Sequence, residues 1–155
     1  MLSRPTLKNY DMNKKAEIIT ELEKFGFPEN EVVLTLDEFF ANNDEFFDGP
    51  EGYASIGVNI SPNQPSPQTF YDTLKVLIDT KKATQIFVKI TDADEPEDWF
   101  FTDTVYIVSD LNIDEITILT ESLSPDEVGT GWSFGLPENI DKSYFDKNVY
   151  SLFWD

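Results

Sequence analysis

The sequence predicts one α+β (or mixed α/β) domain over residues 1–155, with a four- to five-stranded mixed sheet covered by about three helices. Its length of 155 residues suits a single domain. Apolar residues recur at helical spacing in three segments and at strand spacing in the segments between them. No internal repeat or low-complexity linker divides the chain. The predicted order is helix, strand, strand, helix, strand, strand, helix, strand, which suits helices packed on a sheet.

The first predicted helix covers residues 13–27, and residues 1–12 before it are expected to form a loose arm. Asn13 can cap this helix, and Gly26 supplies its end. One apolar stripe at helical spacing is expected to face the core and consists of Ile18, Ile19, Leu22 and Phe25.

A strand is predicted at residues 32–36, followed by a short helix at residues 36–40. Residues 42–52 are rich in Asn, Asp and Gly, which indicates a loop. Residues 54–60 alternate apolar and polar side chains, which predicts a half-buried strand. Gly57 at its centre indicates a bulge or a close backbone neighbour.

The best-defined predicted helix covers residues 66–82, because Ser66 can cap it and Pro67 suits its first position. Strands are predicted at residues 83–91 and 102–109. The second of these strands is apolar on both faces, so it is expected to lie in the middle of the sheet.

The last third of the chain is predicted to contain a helix at residues 112–123, where Asn112 and Glu115 have the spacing of a capping box. Residues 124–128 repeat the pattern of a helix start, with Ser124 as the cap followed by Pro125 and Glu127, which predicts about one further helical turn. Residues 148–155 are predicted to close the chain as a final strand.

Acidic residues outnumber basic residues by 30 to 11, which gives a net charge of −19. Most of this charge lies in residues 91–155, whose sixteen acids and two bases give −14. Such a chain repels nucleic acid and anionic membranes, because both bind through positive charge. A macromolecular partner is therefore expected to be a basic protein, although the charge could also serve solubility alone. The oligomeric state is left open.

The chain has no cysteine and no histidine. Disulfides and thiolate metal sites are therefore excluded, and the commonest general base is missing. Residues 1–10 lack the apolar core of a signal peptide, and no apolar run reaches the length of a membrane span. These observations predict a cytoplasmic protein.

No pattern typical of catalysis is present, because nucleophilic triads lack their histidine and phosphate-binding glycine motifs do not occur. We expect no enzyme and no cofactor. A carboxylate- and metal-dependent enzyme is a remote alternative, since pairs of carboxylates form in space. Asp92, Asp94 and Asp98 fall at positions 1, 3 and 7 of a calcium-loop spacing. Glu97 replaces the glycine required at position 6, so no dedicated metal site is expected, and binding of a divalent cation by the acidic loops stays open.

Binding is the function class that survives these tests. Two acidic loops adjoin aromatic residues, and aromatic anchors beside charge are typical of interaction hot spots. The alternative is that the aromatics plug the core while the acids are merely solvated. The predicted partner-binding residues are Asp92, Asp94, Glu95, Glu97, Asp98 and Trp99 in one loop and Asp44, Glu45 and Asp48, beside Phe46 and Phe47, in the other.

The chain also resembles a family of small acidic bacterial proteins. The resemblance rests on VLTLDEFFANNDE and SIGVNI, on FYDTL, on DWFFTDTVYIVSD, on SPDEVGTGW and on the terminal YSLFWD. It covers residues 32–155. Two features depart from the family pattern: Phe153 stands where a tryptophan is usual, and the loop NNDEFFDGPEGYAS is longer. Proteins of this kind are similar to the immunity partners found beside bacterial toxin genes.

The resemblance implies an immunity-type inhibitor that neutralises a basic toxin by occluding its surface. An intracellular scaffold or regulatory module with another partner is the alternative. The sequence identifies neither the partner nor the strand order.

Overall fold

The computed structural model describes residues 9–41, 56–57, 65–94 and 99–155, with side chains from residue 14 onward. Within these residues there are four α-helices, α1 (Asn9–Glu23), α2 (Leu36–Phe39), α3 (Pro67–Asp79) and α4 (Ile113–Thr120). The strands are β1 (Val33–Thr35), β2 (Gln85–Lys89), β3 (Thr104–Val108), β4 (Glu127–Thr130) and β5 (Val149–Phe153). Short 3₁₀ turns lie at Glu121–Leu123 and Lys142–Tyr144. The predicted loop at residues 42–52 and most of the predicted strand at residues 54–60 lie outside the described residues.

The five strands form one sheet in the order β1-β2-β3-β5-β4, and all neighbouring strands are antiparallel. β3 lies in the middle and is buried at every position, as its apolar sequence predicts. The parallel component within the described residues is one isolated bridge between Ile56 and Thr102. The predicted α+β class and the strand number are confirmed.

Alternation along the strands places apolar residues on both faces of the sheet. One face joins the helices in the larger core, which includes Leu34, Phe70, Ile86, Ile107 and Leu152. The opposite face is covered by the irregular segment 131–147. This smaller core consists of Val33, Phe87, Tyr106, Val108, Ile140 and Val149, with Trp132 and Tyr144 packed against it.

Local capping signals explain where two of the helices begin. The Ser66 hydroxyl accepts a hydrogen bond from the Thr69 N–H at 3.1 Å, and Pro67 occupies the first turn of α3. Asn112 and Glu115 form the predicted capping box of α4. The predicted cap of the first helix is wrong, because α1 already begins at Asn9 and Asn13 lies inside it.

Residues 124–128 do not form the predicted helical turn. Ser124 adopts a left-handed conformation with φ of 51° and ends the preceding 3₁₀ turn. The chain then extends into β4, which pairs with β5 from Glu127–Phe153 to Thr130–Tyr150. Pairing with a distant strand therefore overrides the local helix signal.

Candidate functional site

Trp99 was predicted to be a surface anchor, and this prediction is wrong. Its side chain is 3% exposed, and its indole N–H donates to the Phe39 carbonyl oxygen at 2.7 Å. The ring also packs edge-on against Phe100, with 4.9 Å between ring centroids. Burying the indole removes a large apolar surface from water and still satisfies its polar N–H. Trp99 therefore belongs to the core.

The start of the acidic loop is held by the rest of the molecule. Asp92 and Phe101 exchange two backbone hydrogen bonds, of 2.8 and 3.1 Å. The Lys15 ammonium group donates to the Ala93 carbonyl oxygen at 3.1 Å from the buried side of α1. Asp92 and Asp94 are exposed to solvent, so of the predicted binding residues these two are described and accessible. The others, Glu95, Glu97, Asp98, Asp44, Glu45 and Asp48, lie outside the described residues.

A groove between α1 and β1 forms a concave site in the described part of the chain. It has a volume of about 310 Å³, which is at the small end of the range for ligand sites. Its walls combine apolar side chains with carboxylates. The lining residues are Glu17, Ile18, Glu21, Leu22, Phe25, Val33, Leu34, Glu38 and Asn139. We call this site the α1–β1 groove.

The spacing of residues along α1 builds one wall of the groove. Ile18 and Leu22 lie one turn apart on the same face of α1, and Phe25 follows in the turn after the helix, where its N–H donates to the Leu22 carbonyl oxygen at 2.9 Å. Leu22 is buried, whereas Phe25 is 45% exposed. Glu17 and Glu21 form a neighbouring row at a spacing of four. The wall therefore has an apolar stripe beside a row of carboxylates.

The turn that follows α1 fixes the position of Phe25. Gly26 has φ of +91°, and a β-carbon there would lie 2.1 Å from the side-chain nitrogen of Asn30. That nitrogen donates to the Phe25 carbonyl oxygen at 3.1 Å. Glycine is thus required both by the left-handed backbone and by the close approach of Asn30.

The opposite wall is fixed by hydrogen bonds to the edge of β1. The Glu38 carboxylate accepts from the Thr35 N–H at 2.8 Å in a capping box that starts α2. The Asn139 side chain accepts from the Val33 N–H at 3.0 Å and donates to the Val33 carbonyl oxygen at 2.7 Å. Each polar group of this wall therefore has a defined orientation.

An ion pair ties α2, which carries Glu38, to α3. The Lys75 ammonium group lies 3.0 Å from the Asp37 carboxylate, and the Tyr71 hydroxyl donates to the same carboxylate at 2.9 Å. The hydrogen bond from Lys75 is the main reason why the pKa of Asp37 is lowered from 3.8, and Tyr71 lowers it further against the effect of burial. Burial and the neighbouring Asp37 raise the pKa of Tyr71.

The chemistry of the groove suits a cation with an apolar stem. Ile18 and Phe25 offer apolar contact, and Glu17, Glu21 and Glu38 place carboxylates around it. Glu21 already pairs with Lys24 at 3.0 Å on the exposed surface of α1. Sequence reasoning missed this site because it assigned the whole stripe of α1 to the core. The feature of the sequence that could have indicated the groove is the row of Glu17 and Glu21 beside that stripe.

Neither a cluster of metal ligands nor a membrane-spanning helix occurs in the described residues. Within them, no group of three or more acidic residues is arranged to hold a metal ion. None of the helices in the described part of the chain is both long and apolar enough to cross a membrane.

Residues 13–152 match the family model described as Uncharacterized protein YfbO family. The protein described as Uncharacterized protein YfbO from Escherichia coli (strain K12) is 29% identical to this chain over 102 residues. That alignment covers 65% of this chain and 66% of the E. coli protein, slightly less than two thirds of its length. No solved structure matches this chain with statistical significance.

Proposed function

This chain belongs to the YfbO family, and we propose that it is a non-catalytic binding protein whose α1–β1 groove takes up a lysine or arginine side chain of a basic protein partner. The observation that carries the proposal is the combination of an apolar stripe and three glutamates in one groove of about 310 Å³. The net charge of −19 supplies the long-range attraction for such a partner.

Lysine and arginine match both halves of the groove. Their methylene stems pack along apolar surface while the charged head stays near water. In this groove the stem would lie on Ile18 and Phe25, and the head would face Glu17 and Glu21. Each methylene removed from water contributes about 0.8 kcal/mol, and each exposed ion pair adds about 0.2–1 kcal/mol. Affinity therefore comes mainly from the stem, and orientation comes from the carboxylates.

The groove can be tested with n-butylguanidinium, which copies the arginine side chain with one further carbon in the place of Cα. We expect it to bind with a dissociation constant on the order of millimolar, from the burial of its four carbons and the ion pair. Amide chemical shifts in a ¹⁵N-labelled sample should change at Ile18, Leu22 and Phe25. Free guanidinium tests the head alone, and n-butanol tests the stem alone, and both should bind more weakly.

Charge reversal supplies the matched comparison. Glu17→Lys combined with Glu21→Lys should weaken n-butylguanidinium binding by about tenfold, because two attractions become repulsions. Asp110→Lys combined with Asp146→Lys changes the net charge equally at exposed sites outside the groove. This second variant should bind like the wild type. Equal weakening in both variants would show that only overall charge matters, and the groove would lose its role.

Neutralisation of a basic toxin is the finer form of this proposal. It is supported by the resemblance to immunity proteins and by the net negative charge, and it would place the interaction in the cytoplasm. In this form the chain occludes the lysines or arginines that a toxin uses on its own substrate. A toxin gene should then lie beside the gene for this chain, and loss of the chain should kill cells only when that toxin is present. Survival of cells that contain the toxin but lack this chain would favour a scaffold or regulatory module with a different partner.

A further inference from the structure

The two edge strands of the sheet, β1 and β4, differ in whether their outward backbone groups are hydrogen-bonded. At the β1 edge, the side chain of Asn139 satisfies both backbone groups of Val33, at 3.0 and 2.7 Å. The next outward N–H, that of Thr35, donates to Glu38 at 2.8 Å. Side chains therefore close the β1 edge to any further strand, which is a common protection of exposed sheet edges.

The β4 edge has no such protection. The Gly131 N–H donates to the Val149 carbonyl oxygen at 2.7 Å, which makes Thr130 and Tyr150 a pair that does not exchange hydrogen bonds. The N–H and C=O groups of Thr130 consequently point away from β5, and alternation gives Val128 the same orientation. Among the described residues, no group bonds to these outward N–H and C=O groups.

Two glycines keep the side-chain bulk beside Thr130 low. Gly129 and Gly131 lie on either side of Thr130, and a β-carbon at either glycine would have no neighbour within 4 Å. The strand contains neither lysine nor proline, the residues that usually guard an edge. The β4 edge therefore presents two N–H and two C=O groups that have no hydrogen-bond partner among the described residues.

Charge selects the kind of strand that fits there. Asp126, Glu127 and Asp155 lie at one end of the edge, where the Asp155 N–H donates to the Asp126 carboxylate at 2.6 Å. Residues 111–141 contain no lysine or arginine. A second copy of the chain would bring its own net charge of −19 against these acids. An extended segment that carries lysine or arginine instead gains both backbone hydrogen bonds and charge pairing.

We propose that the β4 edge binds an extended, basic segment of a protein partner as a sixth strand. The four steps between β1 and β4 in the sheet separate this edge from the β1 edge by about 19 Å at normal strand spacing. The inference adds a second contact to the proposed function, but it is drawn from a different edge of the sheet and does not require the α1–β1 groove.

A blocked hexapeptide of alternating lysine and valine is a suitable probe. Its binding should slow amide hydrogen exchange at Val128 and Thr130 by about tenfold or more, because a bonded amide exchanges only after the strand detaches. The matching peptide of alternating glutamate and valine should give no protection. Protection concentrated at Ile18, Leu22 and Phe25 would overturn the β4 proposal while supporting the groove.

Two variants of Thr130 distinguish the loss of a hydrogen-bonding group at the edge from a general loss of folding. Thr130→Pro removes the outward N–H without removing a hydrogen bond to β5, and the peptide should then bind about fivefold more weakly for the loss of one hydrogen bond. Thr130→Ala keeps the N–H and should bind like the wild type. Equal affinity of both variants would contradict the proposal.

If Thr130→Pro does not fold, amide hydrogen exchange at Val128 and Thr130 of the wild type, with and without the peptide, tests the proposal instead. If both amides are protected from exchange without the peptide, and sedimentation shows dimers, then a second copy of the chain occupies the edge. That result would also overturn the proposal.

Discussion

Replacing Trp99 with phenylalanine tests the placement of this residue in the core. The substitution removes the hydrogen bond from the indole N–H to the Phe39 carbonyl oxygen, which measures 2.7 Å. Trp99 is 3% exposed and Phe39 is 1% exposed, so water cannot readily replace the lost donor. Losing a buried partner of this kind costs about 1–3 kcal/mol. The smaller ring also leaves a void of about 40 Å³, which adds about 1 kcal/mol.

The expected loss in the free energy of unfolding is therefore about 2–4 kcal/mol, a large part of the stability of a typical domain. Urea unfolding followed by far-ultraviolet circular dichroism measures it, since tryptophan fluorescence changes with the substitution itself. Trp132→Phe is the matched control, because Trp132 is only half-buried against Phe87 and Tyr106. It should cost about 1 kcal/mol or less. A loss below about 0.5 kcal/mol in Trp99→Phe is typical of an exposed site and would refute the burial of Trp99.

Three further predictions concern the walls of the groove and their supports. Asn139→Ala should lower the free energy of unfolding by about 1–3 kcal/mol through loss of two hydrogen bonds to Val33, whereas the exposed Asn148→Ala should change it by less than about 0.5 kcal/mol in the same urea titration. Gly26→Ala should destabilise more than Gly135→Ala in thermal unfolding, because both have φ near +90° but only Gly26 has Asn30 against it; equal effects would contradict the role of that contact. Asp37 has a folded-state pKa below 3.8, so its stabilisation is complete above that value and is lost as the pH falls through the lower, folded-state pKa. The stability difference between wild type and Asp37→Asn should accordingly be constant near neutral pH and shrink in acid, and a difference that grows in acid would contradict the depressed pKa.

Local signals in the sequence were sufficient for some elements. Ser66 with Pro67, and Asn112 with Glu115, mark the starts of α3 and α4 because capping depends on residues within one turn. The apolar run of β3 also predicts its central place, since only a strand covered on both faces has that composition. These features depend on neighbours in the sequence, which are visible without a structure.

The predictions from sequence were wrong where contacts between residues far apart in the chain determine the structure. Trp99 follows an acidic loop, but its burial depends on Phe39, which lies 60 residues away in the sequence. β4 follows a helix-like signal at Ser124, yet its pairing with β5 determines its conformation. The groove was missed for the same reason. The exposure of Phe25 depends on how α1 meets β1 and Asn139, and the spacing within α1 does not reveal that arrangement.

The most direct measurement of the central claim is a crystal structure of the chain soaked with n-butylguanidinium. The α1–β1 groove should hold the butyl chain against Ile18 and Phe25, with the guanidinium within hydrogen-bonding distance of the Glu17 or Glu21 carboxylate. An empty groove, with the probe bound at other carboxylates, would contradict the claim that this site recognises a cationic side chain.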